Sequence, residues 1–284
     1  MRFPHFILAI AASILVLPGQ CATDIEIFAS EFAFPARFYR VNPDLGKAVQ
    51  IGTTRFLPGL DFRANGMLYG SSAEYYSVAT ADGTAARIGA LPDLLVSIAF
   101  SPGDQLFGVS NDGLTLFEMD PNTGSSLRSV PITGTTHSSG TLFPGEINGI
   151  DFAPDGTLYG IGFGLYSINP LSGVATRITP LGQQVSGNLF LDLDFGQDGQ
   201  LRAATFDSAT DGASNLYRID PVTGLGQLVG SMGYEIAGLA SVPEPSTYSL
   251  FIAGGLVVFV LSRWKATHAA PNPAGRPMKG VRGL

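Results

Sequence analysis

The 284-residue chain has one cysteine, Cys21, and three histidines, His5, His137 and His268; only 14% of its residues carry a charge. A single cysteine excludes an internal disulfide and a thiolate zinc cluster. Runs of Ala, Glu, Lys and Leu at helical spacing are missing, which excludes long solvated helices. The sequence has no phosphate-binding glycine loop, no dinucleotide fingerprint and no basic-aromatic patch for nucleic acid. No cofactor is expected, Ca²⁺ being the one ion weighed below.

What is present is glycine (36), proline (19) and a 45% hydrophobic content. That balance serves many turns and a sizeable core, and the composition reads all-β.

Both ends are apolar. Arg2 precedes the run Phe6 to Leu17, which exits through Pro18-Gly19-Gln20-Cys21-Ala22. A run this short is below the ~17–25 residues of a membrane span, so residues 1–22 are expected to be a signal peptide cleaved between Gly19 and Thr23. Gln20 stands where a lipoprotein signal wants a small residue before the cysteine. From Asp24 to Glu244 there are 10 basic and 23 acidic residues, a net −13, whereas Arg263, Lys265, Arg276, Lys279 and Arg282 make the tail purely basic. An acidic domain repels nucleic acid, and a basic block after an apolar segment is a stop-transfer signal.

That C-terminal segment runs Pro243-Glu244-Pro245, then the apolar stretch Tyr248 to Leu261 with Gly254-Gly255-Leu256, then Arg263-Trp264-Lys265. The order of rigid linker, short hydrophobic helix and basic stop closely resembles the PEP-CTERM sorting signal. The resemblance covers some 25 residues, with Pro243, Glu244, Pro245 and Arg263 as its motif residues. It implies transient membrane anchoring through residues 243–265, an exosortase as partner, and delivery to a surface or matrix rich in exopolysaccharide. The chain departs from the pattern in running on to Leu284, a basic segment (266–284) expected to be disordered.

Between the ends two signatures alternate. One closes a strand with a turn: Phe38 to Gly46, Tyr75 to Gly83, Leu116 to Gly124, Leu165 to Gly173 and Leu216 to Gly224. The other is Gly59-Leu60-Asp61-Phe62, echoed at Ser97-Ile98-Ala99-Phe100, Gly149-Ile150-Asp151-Phe152, Asp192-Leu193-Asp194-Phe195 and Gly238-Leu239-Ala240-Ser241. In Asp-Pro-x-Thr-Gly the acid caps the turn, proline presets φ, and glycine takes the positive-φ position. Successive turn glycines are 37, 41, 49 and 51 residues apart, in the range of propeller repeats. The units are similar to YVTN/NHL-type propeller blades. Residues 24–242 are therefore expected to form a five-bladed β-propeller of four-stranded blades. The N-terminal strands Ile25–Phe28, Phe38–Asn42 and Ala48–Ile51 would close the ring with C-terminal strand Ile236–Ser241. A β-sandwich built from the same hairpins is the alternative.

Candidate sites are few. His137 sits in a polar Gly/Ser/Thr loop with no strand-turn-helix elbow around a serine, so a Ser-His-Asp triad is not supported. Asp61, Asp151 and Asp194 recur at one place in the innermost strand. They would either ring the channel as a cation or acid-base site or hydrogen-bond a neighbouring backbone. Asp192 and Asp198 beside Asp194, or Asp207 with Asp211, could gather oxygens for Ca²⁺ without the EF-hand spacing. The segments Ser30–Arg37, Pro131–Glu146, Pro180–Asn188 and Thr205–Asn215 are expected to crowd one face. With them go Phe32, Phe34, His137, Asp207 and Asp211. Two functions stay open: a non-catalytic surface protein binding polysaccharide or protein, and a secreted glycoside-active or lactonase-like enzyme.

Overall fold

The computed structural model describes residues 25–135, 147–162, 164–180, 189–196, 198–206 and 212–242. In chain order the strands are β1 (Ile27–Glu31), β2 (Ala36–Val41), β3 (Ala48–Thr54), β4 (Gly59–Phe62), β5 (Leu68–Ser71), β6 (Glu74–Val78) and β7 (Ala85–Ala90). Next come β8 (Leu95–Phe100), β9 (Leu106–Ser110), β10 (Thr115–Met119), β11 (Ser126–Pro131), β12 (Ile147–Phe152), β13 (Leu158–Gly162) and β14 (Gly164–Ile168). The series ends with β15 (Ala175–Pro180), β16 (Leu189–Phe195), β17 (Leu201–Phe206), β18 (Asn215–Ile219), β19 (Gly226–Ser231) and β20 (Ile236–Ser241).

Five antiparallel sheets of four strands result: β4 to β7, β8 to β11, β12 to β15, β16 to β19, and β20-β1-β2-β3. We call these blades 1 to 5. The last blade joins the two ends, with Ile27 opposite Ser241, Phe28 opposite Ala240 and Ala29 opposite Leu239. The expected five-bladed propeller is the fold.

The repeated turn is built as its residues dictate. Gly46, Gly83, Gly124, Gly173 and Gly224 all have φ between +67° and +78°. Each donates its amide to the carbonyl four residues back, at 2.7–2.9 Å. The Oδ1 atoms of Asn42, Asp120, Asn169 and Asp220 accept the amides two residues on, which pins the turn before the chain reverses.

Each blade interface holds one hydrophobic cluster. For example, Phe28, Phe38 and Ala240 of blade 5 pack with Leu60, Phe62, Leu68 and Tyr76 of blade 1. This burial on both sides corrects one expectation. In the sequence Tyr166 and Ile168 alternate with Leu165 and Ser167 as in a half-buried strand, but the inner strands β4, β12 and β20 are buried at every position because each blade lies between two others. Exposed residues appear on the outermost strands, such as β3 and β11, and at Arg37 and Arg40 of β2.

The first strand runs further than Ile25–Phe28. It extends over Ile27–Glu31, so the connection to β2 is residues 32–35 rather than the expected Ser30–Arg37. Polar residues disguised the strand. The Ser30 hydroxyl donates to the Leu57 carbonyl at 2.5 Å, and Glu31 is ion-paired with Arg37.

The expected signal peptide (1–22), the sorting segment (243–265) with its hydrophobic helix, and the tail (266–284) lie outside the described residues. Among those described, no helix is long and apolar enough to cross a membrane.

Candidate functional site: the propeller axis and its loop-side mouth

The five innermost strands run from the loop face to the tight-turn face, and their polar residues sew each blade to the next. Asp61 accepts the Phe62 amide at 2.6 Å and, through Oδ2, the Phe100 amide of blade 2 at 2.5 Å. Asp151 does the same with Phe152 and with Phe195 of blade 4, both at 2.7 Å. Asp194 Oδ1 accepts the Ser241 amide of blade 5 at 2.9 Å.

Blades 2 and 5 carry Ala99 and Ala240 at the equivalent position, and serines replace the aspartate there. The Ser97 hydroxyl accepts the Ile150 amide of blade 3 at 3.0 Å and donates to Asp192 Oδ1 at 3.1 Å. Ser30 ties blade 5 to blade 1. Asp192 Oδ2 accepts the Leu239 amide at 2.9 Å. Asp192 thus joins blade 4 to both blade 2 and blade 5, spanning the axis.

This layer is closed by backbone contact. A Cβ on Gly149 would lie 2.7 Å from Asp192 Cα, and one on Gly59 would lie 2.8 Å from Ser97 Cα. Only glycine permits strands to approach so closely.

The four carboxyls are buried, and burial pushes each above the usual carboxylate range. After burial, the charges of Asp61 and Asp194 raise Asp151 further, and that of Asp194 raises Asp61. Ser241 and the Arg202 guanidinium oppose the rise at Asp194, whose Oδ2 accepts no hydrogen bond. The three recurring aspartates therefore come together electrostatically, each committed through one oxygen to the next blade.

Above the closed layer, on the loop face, lies an apolar funnel of about 240 Å³. Its wall takes one residue from each blade: Pro58, Val96, Asn148, Leu191 and Ala237, each just before the layer residue of its strand. Phe32, Phe56, Leu94 and Asn111 complete the rim. Phe32 packs edge-on against Phe56 with centroids 4.9 Å apart, and Phe34 lies 4.9 Å from the same ring. Phe32 and Phe34 are 45% and 80% exposed, as the loop position implied. Sequence reasoning missed Phe56 and the five wall residues. Their signal was positional, since superposing the repeats puts them one residue ahead of Gly59, Ser97, Gly149, Asp192 and Gly238.

The remaining candidates separate. Asp198 spends both oxygens on Arg202, at 2.7 and 3.0 Å, and acts on Asp194 only through its charge. No group of three or more acidic, histidine or cysteine side chains among the described residues is placed to hold a metal. His137, Asp207, Asp211 and the motif residues Pro243, Glu244, Pro245 and Arg263 lie outside the described residues.

Fold and axis together define a five-bladed β-propeller whose inner strands are hydrogen-bonded across the axis, with an apolar funnel on the loop side of that layer. No protein-family model and no curated protein matches the sequence. Among solved structures, the chain is similar to a symmetrical protein studied for its de novo evolutionary emergence. That match has 21% identity and a TM-score of 0.51, over 78% of this chain and all of the other. It is also similar to TolB from Acinetobacter baumannii, with 16% identity and a TM-score of 0.44 over 77% of this chain and 55% of that one. A third match is a glutaminyl cyclase from Myxococcus xanthus, with 17% identity and a TM-score of 0.44 over 77% of both chains. At these identities the likeness is one of fold.

Proposed function

We propose that this chain is an exported, non-catalytic binding propeller. An exosortase processes it at Pro243-Glu244-Pro245, and the product resides at the cell surface or in an exopolysaccharide-rich matrix. Its loop face holds the partner, a polysaccharide or another surface protein. One observation carries the binding reading: each of the five blades contributes one residue, in or just before its inner strand, to a single apolar funnel on the axis. Loops and strand ends on a rigid scaffold are where binding sites are usually built.

The carboxyls beneath the funnel support a non-catalytic role, because Asp61 and Asp151 give both oxygens to backbone amides and are buried. The export reading rests on the sequence, on the resemblance of residues 243–265 to a sorting signal.

Two measurements test the proposal. The secreted protein is screened for binding and hydrolysis of oligosaccharides and lactones. Binding without turnover is the expected result. Turnover abolished by Asp194→Asn would establish the enzyme reading instead. Mass spectrometry of the mature protein is expected to lack residues 263–284, and their retention would remove the processing claim.

A further inference from the structure

The funnel is larger than the ~150 Å³ cavity that accepts a single benzene ring, yet below the ~300–1,000 Å³ of sites that enclose a drug-sized ligand. About 240 Å³ suits one large apolar side chain. The apolar contact does not stop at the funnel. Phe32 and Phe56 belong to both the rim and the aromatic trio, and Phe34 carries that trio outward to solvent. A pocket that swallows one anchor, bordered by exposed aromatics that shield it from water, is the arrangement by which protein interfaces concentrate affinity.

Acidic side chains border the mouth. Asp93 and Asp112 are exposed and adjoin the lining residues Leu94 and Asn111. Glu235, whose carbonyl holds the Phe32 amide, has its carboxyl raised by burial and by the charge of Glu31. Nearby cations are engaged: Arg37 with Glu31, Arg87 with Glu74, and Arg55 with its guanidinium 5.4 Å from the Tyr76 ring centre. The stretch from Asp24 to Glu244 carries a net −13. A partner rich in carboxylates or phosphates would be repelled, and a basic one would be drawn in.

We propose that the loop-side funnel captures a basic segment of a partner protein by swallowing one large apolar side chain while Asp93, Asp112 and Glu235 face its lysines or arginines. This rests on the binding reading above and names the partner class for that site.

The probe is a fluorescein-labelled peptide, acetyl-Lys-Lys-Phe-Lys-Lys-amide. It is titrated by anisotropy onto the full chain in neutral phosphatidylcholine nanodiscs, with empty nanodiscs subtracted. The expected result is saturable binding that weakens at least tenfold when the central Phe is replaced by Ala. Binding should weaken at least as much when the lysines become glutamates. Val96→Phe, which fills the funnel from its own wall, should abolish binding without lowering the melting temperature appreciably. Phe32→Ala, at the exposed rim, should weaken it and keeps the test alive if Val96→Phe misfolds. The Asp93→Asn, Asp112→Asn double variant should flatten the salt dependence. Equal binding of the Ala or Glu peptide overturns the proposal, as does undiminished binding to both funnel variants. Oligosaccharide binding with no peptide binding also overturns it while leaving the broader binding reading standing, whereas turnover of a sugar or lactone removes both.

Discussion

Ser97 of blade 2 and Asp192 of blade 4 meet across the propeller axis, with the serine hydroxyl 3.1 Å from Asp192 Oδ1. The same hydroxyl accepts the Ile150 amide of blade 3, so one oxygen ties three blades. Ser97→Ala strands a buried amide and a buried carboxyl oxygen. At about 1–3 kcal/mol per stranded group, the loss should be about 2–6 kcal/mol. Urea denaturation measures it. A loss under ~0.5 kcal/mol would mean that the axis is held by hydrophobic clusters alone.

The buried carboxyls give stability a pH dependence of definite sign. Asp61, Asp151, Asp192 and Asp194 all have raised folded values. Their contribution is therefore complete below the unfolded carboxylate value of about 4, and declines as pH climbs toward the folded values. Exposed carboxylates held by turns, such as Asp82, Asp155 and Asp220, are lowered and act in the opposite sense below that value. The melting temperature should therefore fall as pH is raised from about 5 to 8. A melting temperature that rises throughout this interval would contradict the assignment.

Asp194→Asn separates the roles of these groups. The asparagine oxygen can keep the Ser241 amide, while its NH₂ replaces an oxygen that accepts no bond. It also removes the charge that raises Asp61 and Asp151. The variant should be at least as stable as the parent at pH 7, with a flatter pH profile. Asp151→Asn differs, because both of its oxygens already accept amides and an NH₂ must oppose one of them. A cost of about 1–3 kcal/mol is expected. Thermal melts of the two proteins side by side decide the matter, and equal stability would refute the distinction.

Much of the fold was legible because its turn is encoded residue by residue. Asn42, Asp120, Asn169 and Asp220 cap it and glycine ends it, so the repeat declared both the blade number and the closure through Ile236–Ser241. Burial was not legible in the same way. Strand alternation describes one sheet, whereas a propeller blade is packed on both faces by its neighbours. Asp61, Asp151 and Asp194 stood out by repetition, but their bonds to Phe100, Phe195 and Ser241 depend on which blade lies next. Serines at unrelated offsets, Ser97 and Ser30, fill the gaps at Ala99 and Ala240, and no local pattern announces them.

Close strand approach at the axis should make glycine there irreplaceable. A Cβ on Gly149 meets backbone at 2.7 and 2.9 Å, whereas one on Gly66 meets nothing within 4 Å. Gly66→Ala bears only the strain of its φ of +80°, about 1–2 kcal/mol. Gly149→Ala must push blades 3 and 4 apart and should cost more, with reduced yield of folded protein. Equal melting temperatures would show that the inner strands can shift freely.

Strand β20 begins at Ile236 beside Glu31, at the loop end, and finishes at Ser241 beside Ile27, so Val242 leaves from the tight-turn end. There its amide bonds the Glu26 carbonyl at 2.9 Å. Phe34 sits beyond the opposite end of the same blade. If residues 243–265 hold the protein at a membrane, the tight turns face the lipid and the funnel faces outward. Phe34 and Val222 are both 80% exposed, one in the loop between β1 and β2 and the other in a tight turn. The described residues contain no cysteine to interfere. Phe34→Cys should react with a bulky, impermeant polyethylene-glycol maleimide while the protein is still anchored, and Val222→Cys should react much more slowly. After release from the membrane, both should label at similar rates. The reverse order on the anchored protein would place the funnel against the membrane and end the case for outward binding.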